Sequence, residues 1–197
     1  MSIGHDWSPS VEEIARQIQS RPTSCTVLGI SGYGGAGKST LAQHLGMRLA
    51  APVVSIDEFG TAAVFQRSTA WDGFDRDRLV RQVLAPLRAG CRQMLYDRCD
   101  DWESWQTVST PLRVDHVLIL EGVGLFHPDL LPYLDYRLWI GMPLTDATRH
   151  GIAREAALGR AVRHLWEATW EPNERDFEAR FHPCAAADQI VRQAPRP

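Results

Sequence analysis

The sequence predicts a three-layer α/β/α fold of the phosphate-loop type, with a parallel sheet of about five strands between helices. Three observations predict it. Short apolar runs of strand length recur at Cys25–Ile30, Pro52–Ile56, Val117–Leu120, Tyr136–Ile140 and Gln189–Val191, and such unbroken runs mark strands buried on both faces. Segments with helical spacing lie between them, the alternation that supplies crossovers for parallel strands. A glycine-rich stretch follows the first run at once and opens a helix, the setting in which such a stretch binds phosphate.

The elements follow in chain order. Residues 9–20 form an amphipathic helix with Val11, Ile14 and Ile18 on one face. After the first strand and its loop, Ser39–Ala50 is a helix with Leu41, Leu45 and Leu49 on one stripe. The second strand runs into Asp57-Glu58-Phe59. Residues 60–75 lack periodicity and are expected as loop, and Arg76–Ala89 is a helix facing inward through Leu79, Val83 and Leu87. Residues 91–112 are expected to be irregular, because they are acidic and aromatic without a period. The third strand closes on Glu121-Gly122. A helix starting near Pro143 carries Arg149 and Arg154, and a second covers about 160–181. Only residues 193–197 read as a disordered tail. No repeat or second unit is visible, so the 197 residues are read as one domain.

Charge usage points to the chemistry. The chain has 20 arginines and one lysine, Lys38. Arg is a planar fork and Lys a slim point charge. The one slim cation sits in Gly32-Tyr33-Gly34-Gly35-Ala36-Gly37-Lys38-Ser39, followed by Thr40, which fits G-x-x-x-x-G-K-[S/T]. In that pattern the glycines let successive N–H groups face phosphates, Lys reaches the β- and γ-phosphates, and Ser holds Mg²⁺. The pattern implies a nucleoside triphosphate, with ATP the first choice.

Other residues belong at the same sheet edge. Glu121 closes a strand there and is expected at the metal. Asp57 ends the neighbouring strand, where a carboxylate can take a proton from an attacking hydroxyl. Which of the two leads at the metal is left open. Glu58 should point the other way if the strand continues. Arg149, Arg154, Arg160 and Arg163 face only Glu155 in their window, an arginine lid over about 149–163 that can neutralise a transferring phosphoryl group. The acidic, aromatic stretches Trp71–Asp75 and Tyr96–Trp105, within an acceptor region of about 58–112, are expected to bind the acceptor.

Composition also excludes. A net charge of −3 leaves no basic footprint for nucleic acid. No apolar stretch approaches a membrane span, and four cysteines without paired spacing read as reduced thiols of a cytoplasmic protein. The histidines form no ligand pair; His150 is expected to pair with Asp146 on its helix. The oligomeric state stays open, a homo-oligomer included.

The order of these motifs resembles the uridine kinase and phosphoribulokinase-type kinases from about Cys25 to Val191. The resemblance rests on the glycine-rich loop, Asp57-Glu58-Phe59, Gly73-Phe74-Asp75, Tyr96-Asp97, Leu120-Glu121-Gly122, Arg154-Glu155 to Gly159-Arg160, and Ala187-Asp188. It implies ATP and Mg²⁺, Asp57 as base, and an acceptor site at Phe59, Asp75, Tyr96, Asp97 and Arg149. The lid arginines Arg154 and Arg160 join Lys38 at the phosphoryl group. It implies a nucleoside acceptor such as uridine or cytidine. The chain departs from the family after Tyr96-Asp97, where the base-reading histidine is replaced by Arg98-Cys99-Asp100-Asp101-Trp102. Another small alcohol (nicotinamide riboside, pantothenate or a sugar) therefore stays open, as does a form that binds ATP without transferring it.

Overall fold

A computed structural model describes residues 7–21 and 25–192. Five parallel strands form the central sheet: β1 (Thr26–Ser31), β2 (Val53–Ser55), β5 (Val117–Glu121), β6 (Tyr136–Ile140) and β7 (Gln189–Val191), in the order β2-β5-β1-β6-β7. Every residue of β1 and β5 is buried, as unbroken apolar runs require. The register aligns Ile30 with Glu121, and Glu121 with Ser55. Three strands therefore end level, and whatever follows each of them meets at one edge. The helices α1 (Ser8–Gln19), α2 (Lys38–Leu49) and those below flank this sheet. On α1, Val11, Ile14 and Ile18 are buried against α2, as their spacing predicts.

The second strand is shorter than expected. It stops at Ser55, and Ile56–Phe59 forms a 3-10 turn. Ser55 caps this turn by accepting the Asp57 N–H at 3.3 Å, while Glu58 accepts the Ser55 N–H at 3.3 Å. This reciprocal capping box satisfies donors that a strand would have sent to a neighbour.

Residues 91–112 are not irregular. They contain β3 (Gln93–Cys99) and β4 (Thr107–Arg113), an antiparallel pair running from Gln93↔Arg113 to Cys99↔Thr107. The pair stands apart from the main sheet. Its apolar residues do not mark it, because Leu95 and Val108 face solvent.

Two helical runs share one irregularity. The first is α3 (Arg76–Leu79), a π turn (Val80–Leu84) and α4 (Ala85–Arg88). The second is α6 (Arg163–Leu165), a π turn (Trp166–Trp170) and α7 (Glu171–Phe181). Each π turn ends just before a segment with proline at its second position, Pro86 and Pro172. Proline lacks an N–H and its ring crowds the carbonyl four residues back, and a widened turn relieves both. The remaining helix, α5 (Leu144–Ala157), precedes the second run. Residues 193–197, expected as a tail, lie outside the described residues.

Candidate active site

The loop after β1 curls between Gly32 and Gly37, and Gly37 caps α2 with φ of 97°. Gly35 has φ of 85°, and a Cβ there would lie 2.2 Å from the Ala147 carbonyl oxygen. Only glycine fits, because α5 packs directly on the loop. Lys38 is 7% exposed and donates to the carbonyls of Gly32 and Tyr33, both at 2.9 Å. Burial lowers its pKa, against the pull of Glu174, Glu121 and Asp57. Ser39 and Thr40 follow on the first turn of α2, and Ser39 donates to Glu121 Oε1 at 3.2 Å.

The level strand ends do the rest. A cavity of about 620 Å³ opens at this edge, a size that suits small-molecule ligands. Gly34, Gly35, Lys38, Ser39, Asp57 and Glu121 line it, together with Arg154 and Arg160. Asp57 is open to the cavity, yet the protein packed around it pushes its pKa up to about 6. Glu121 adds to that rise, while Lys38 and Arg154 oppose it. Glu155 bonds Arg154 at 2.7 Å and Arg160 at 3.1 Å, so one buried carboxylate holds both arginines of the expected lid beside the cavity.

Several expected acceptor ligands stand elsewhere. Phe59 is fully buried and stacks on Tyr96 at 5.7 Å. Tyr96 donates its hydroxyl to Glu58 at 2.6 Å. Asp75 caps α3 by accepting the Arg78 N–H at 2.9 Å, and Asp97 is bonded by Gln82 at 2.7 Å. None of these four lines the cavity; they brace its wall from behind. Arg149 is 72% exposed, pairs with Asp146 at 2.8 Å and also lies off the cavity.

Other residues line the rest of the cavity. The 3-10 turn brings Glu58 to the cavity next to Asp57, rather than away from it. Trp71, Phe74, Asp100, Asp101, Trp102 and Glu103 line it too, so the acidic, aromatic stretches do reach the site through other members than those expected. Phe65 sits edge-on to Trp102 at 6.0 Å.

The sequence reading missed Glu174, Trp166 and Trp170 of the last helical run. Glu174 is 5% exposed and accepts the Gly34 N–H at 2.6 Å. Burial pushes its pKa up to about 7, against Lys38 and that hydrogen bond. A signal existed: Trp166, Trp170 and Glu174 repeat every four residues, placing an acid on an apolar stripe.

The Ser39–Glu121 pair fits Mg²⁺. It offers two adjacent hard oxygens, and Mg²⁺ takes few protein ligands beside waters and phosphates. No group of three or more His, Cys, Asp or Glu side chains that could hold a metal ion is present among the described residues. No helix among them is long and apolar enough to cross a membrane.

The fold is similar to that of a possible uridine kinase from Bacillus stearothermophilus, with TM-score 0.71, 18% identity, and 93% of this chain and 97% of that one covered. It is also similar to a candidate fructose transport system kinase from Silicibacter sp. TM1040, with TM-score 0.75, 21% identity, and 95% and 100% covered. Shikimate kinase from Acinetobacter baumannii, in complex with shikimate, gives TM-score 0.50 and 15% identity over 93% and 89%. No family model and no curated protein matches the sequence. The chain has the P-loop kinase fold.

Proposed function

We propose that this protein is a small-molecule kinase that transfers the terminal phosphoryl group of ATP to a hydroxyl. One observation carries the reading. A single cavity brings together the glycine-rich loop with Lys38, the Ser39–Glu121 pair, Asp57 and two lid arginines. These are the parts that phosphoryl transfer needs: phosphate donors, countercharge and a base. The similar structures described as kinases act in support.

In the proposed reaction the acceptor oxygen attacks the γ-phosphorus, the bond to the β-phosphate oxygen breaks, and ADP leaves. Asp57 orients the hydroxyl and takes its proton. A carboxyl with pKa of about 6 is ionised at neutral pH yet close enough to it to serve as a base. Lys38, Arg154 and Arg160 offset the charge on the transferring group. Ser39 and Glu121 would hold Mg²⁺, which would neutralise phosphate charge when bound. Trp166 and Trp170 line the cavity and limit water there.

A nucleoside is the first candidate acceptor, because Trp71, Phe65 and Trp102 give aromatic surface for a planar base. The acidic wall of Asp100, Asp101 and Glu103 favours a second reading, a sugar or other polyol held through its hydroxyls. Free thiols at all four cysteines and a net charge of −3 support a cytoplasmic enzyme of free metabolites that does not act on nucleic acid. The test is incubation with Mg²⁺–ATP and a panel of nucleosides, sugars and small alcohols, followed by mass spectrometry of products. Transfer to one class, abolished in Asp57→Asn, is expected. ATP binding with no transfer to any acceptor would favour a degenerate kinase instead.

A further inference from the structure

The helical run Arg163–Phe181 presents polar side chains on two sides, and each side grips a different loop. On one, Glu174 holds the Gly34 N–H at 2.6 Å. One turn on, Glu178 accepts the hydroxyl of Tyr33. Both partners belong to the phosphate loop. On the other, Asn173 is 1% exposed, accepts the Ser68 N–H at 2.9 Å and donates to the Gln66 carbonyl at 2.9 Å. Arg67 bonds Asn173 and Asp176, and Arg180 donates to the Thr69 hydroxyl at 2.9 Å. Positions 173, 176 and 180 share one helix side, and 174 and 178 share the next. Residues 66–70 do not line the cavity, but Val64, Phe65 and Trp71 on either side of them do. Trp170 also donates to the Val64 carbonyl at 2.9 Å.

One helix therefore ties the loop expected to hold phosphate to the segment expected to hold the acceptor. Above about pH 7 the tie on the loop is an anionic group bonded to a loop N–H. A terminal phosphate seated in the loop brings like charge next to Glu174, which weakens that bond. Asn173 is the adjacent residue on the same rigid element, so a shift of α7 changes its grip on segment 66–69.

We propose that α7 couples the two halves of the site, with Glu174 as the positioning residue: a triphosphate in the loop loosens Glu174 from Gly34 and resets how α7 holds residues 66–69. This inference rests on the kinase reading above. Coupling between sites typically amounts to about 5- to 150-fold in an equilibrium.

Hydrogen exchange by mass spectrometry on the full chain, labelled at about pH 8 where Glu174 is ionised, tests it, with and without Mg²⁺ and the β,γ-imido analogue of ATP. In the wild type the analogue should protect the amides of residues 32–40. It should also change exchange at 66–70 by about fivefold or more, the lower end of such coupling. Glu174→Gln keeps the packing and an acceptor oxygen but carries no charge to be repelled. In that variant the loop should still be protected while 66–70 no longer responds. A purely structural Glu174 would leave the response intact in the variant, and that result overturns the proposal. Loop protection without any response at 66–70 in the wild type overturns it equally. An analogue that fails to protect the wild-type loop sinks the kinase reading itself, and the coupling with it.

Discussion

Replacing Glu174 by Gln should change the shape of the stability curve against pH. In the unfolded chain this carboxyl titrates at its ordinary 4.5, and in the folded protein burial raises it to about 7. Between those values the folded state binds the extra proton, so stability falls as pH rises. The contribution is fully present below about pH 4.5 and fully lost above about pH 7. The gap, at about 1.4 kcal/mol per pH unit, amounts to about 3 kcal/mol. For a chain of this size that is roughly 6–12 °C in Tm. Gln cannot ionise, so its curve lacks this descent. Packing differences shift the variant's whole curve and cancel when each protein is compared with itself at pH 5 and pH 8. Asp57 also titrates in this range, but it does so in both proteins. Scanning calorimetry at four pH values and constant ionic strength reads the difference. Parallel curves for wild type and variant would refute the claim that burial of Glu174 governs this part of the stability.

Four further outcomes are expected. Asp57→Asn should lower kcat by about 10²–10⁴-fold with little change in ATP affinity. The wild-type rate should fall as pH drops through about 6, because a raised acid is protonated and inactive as a base below that value; a flat profile between pH 5 and 8 counts against Asp57. Gly151→Ala sets two effects against each other. Alanine favours a helix interior by about 0.8–1 kcal/mol, but its Cβ would lie 2.3 Å from Trp166 Cη2, and overpacking costs about 1–3 kcal/mol. Net destabilisation by urea titration is expected, and a stabilised variant would show that Trp166 moves aside freely. Lys38 is the one lysine, so an amine-directed reagent followed by peptide mapping should label it only slowly, and ATP should slow it further. Labelling that ATP leaves unchanged would argue against phosphate binding in the loop.

The sequence made legible what depends on local chemistry. β1, its loop and α2 could be read because unbroken apolar residues, glycines and a lone lysine each have few alternative uses. Glu121 was readable as the end of an apolar run. Asp75 and Asp97 were expected at the acceptor from their places in the family's motifs, and the fold sets both off the cavity. In the fold one oxygen of each is engaged, by the Arg78 N–H and by Gln82; the first is the capping pattern of an Asp just before a helix, the second a contact between elements that spacing cannot convey. The Ser55–Glu58 capping box was visible as residues, yet it competes with strand extension and only the sheet decides between them. The β3–β4 hairpin hid because Leu95 and Val108 point to water. Burial of Glu174 depends on a loop 140 positions away, which sequence spacing cannot convey.

The strand order also governs when the site can come into being. β1 pairs only with β5 and β6, and β2 pairs only with β5. A chain leaving the ribosome from its N-terminus thus carries two unpaired apolar strands until Val117–Glu121 emerges, a period of exposure to misassociation. The glycine-rich loop waits longer, since its packing needs Ala147 on α5 and its Gly34 bond needs Glu174 on α7. A nascent or truncated product that stops short of α5 would carry the complete loop motif without the surroundings that shape it. During synthesis, nucleotide binding is therefore expected to appear late, as the last helices dock, though the residues that define it were among the first translated.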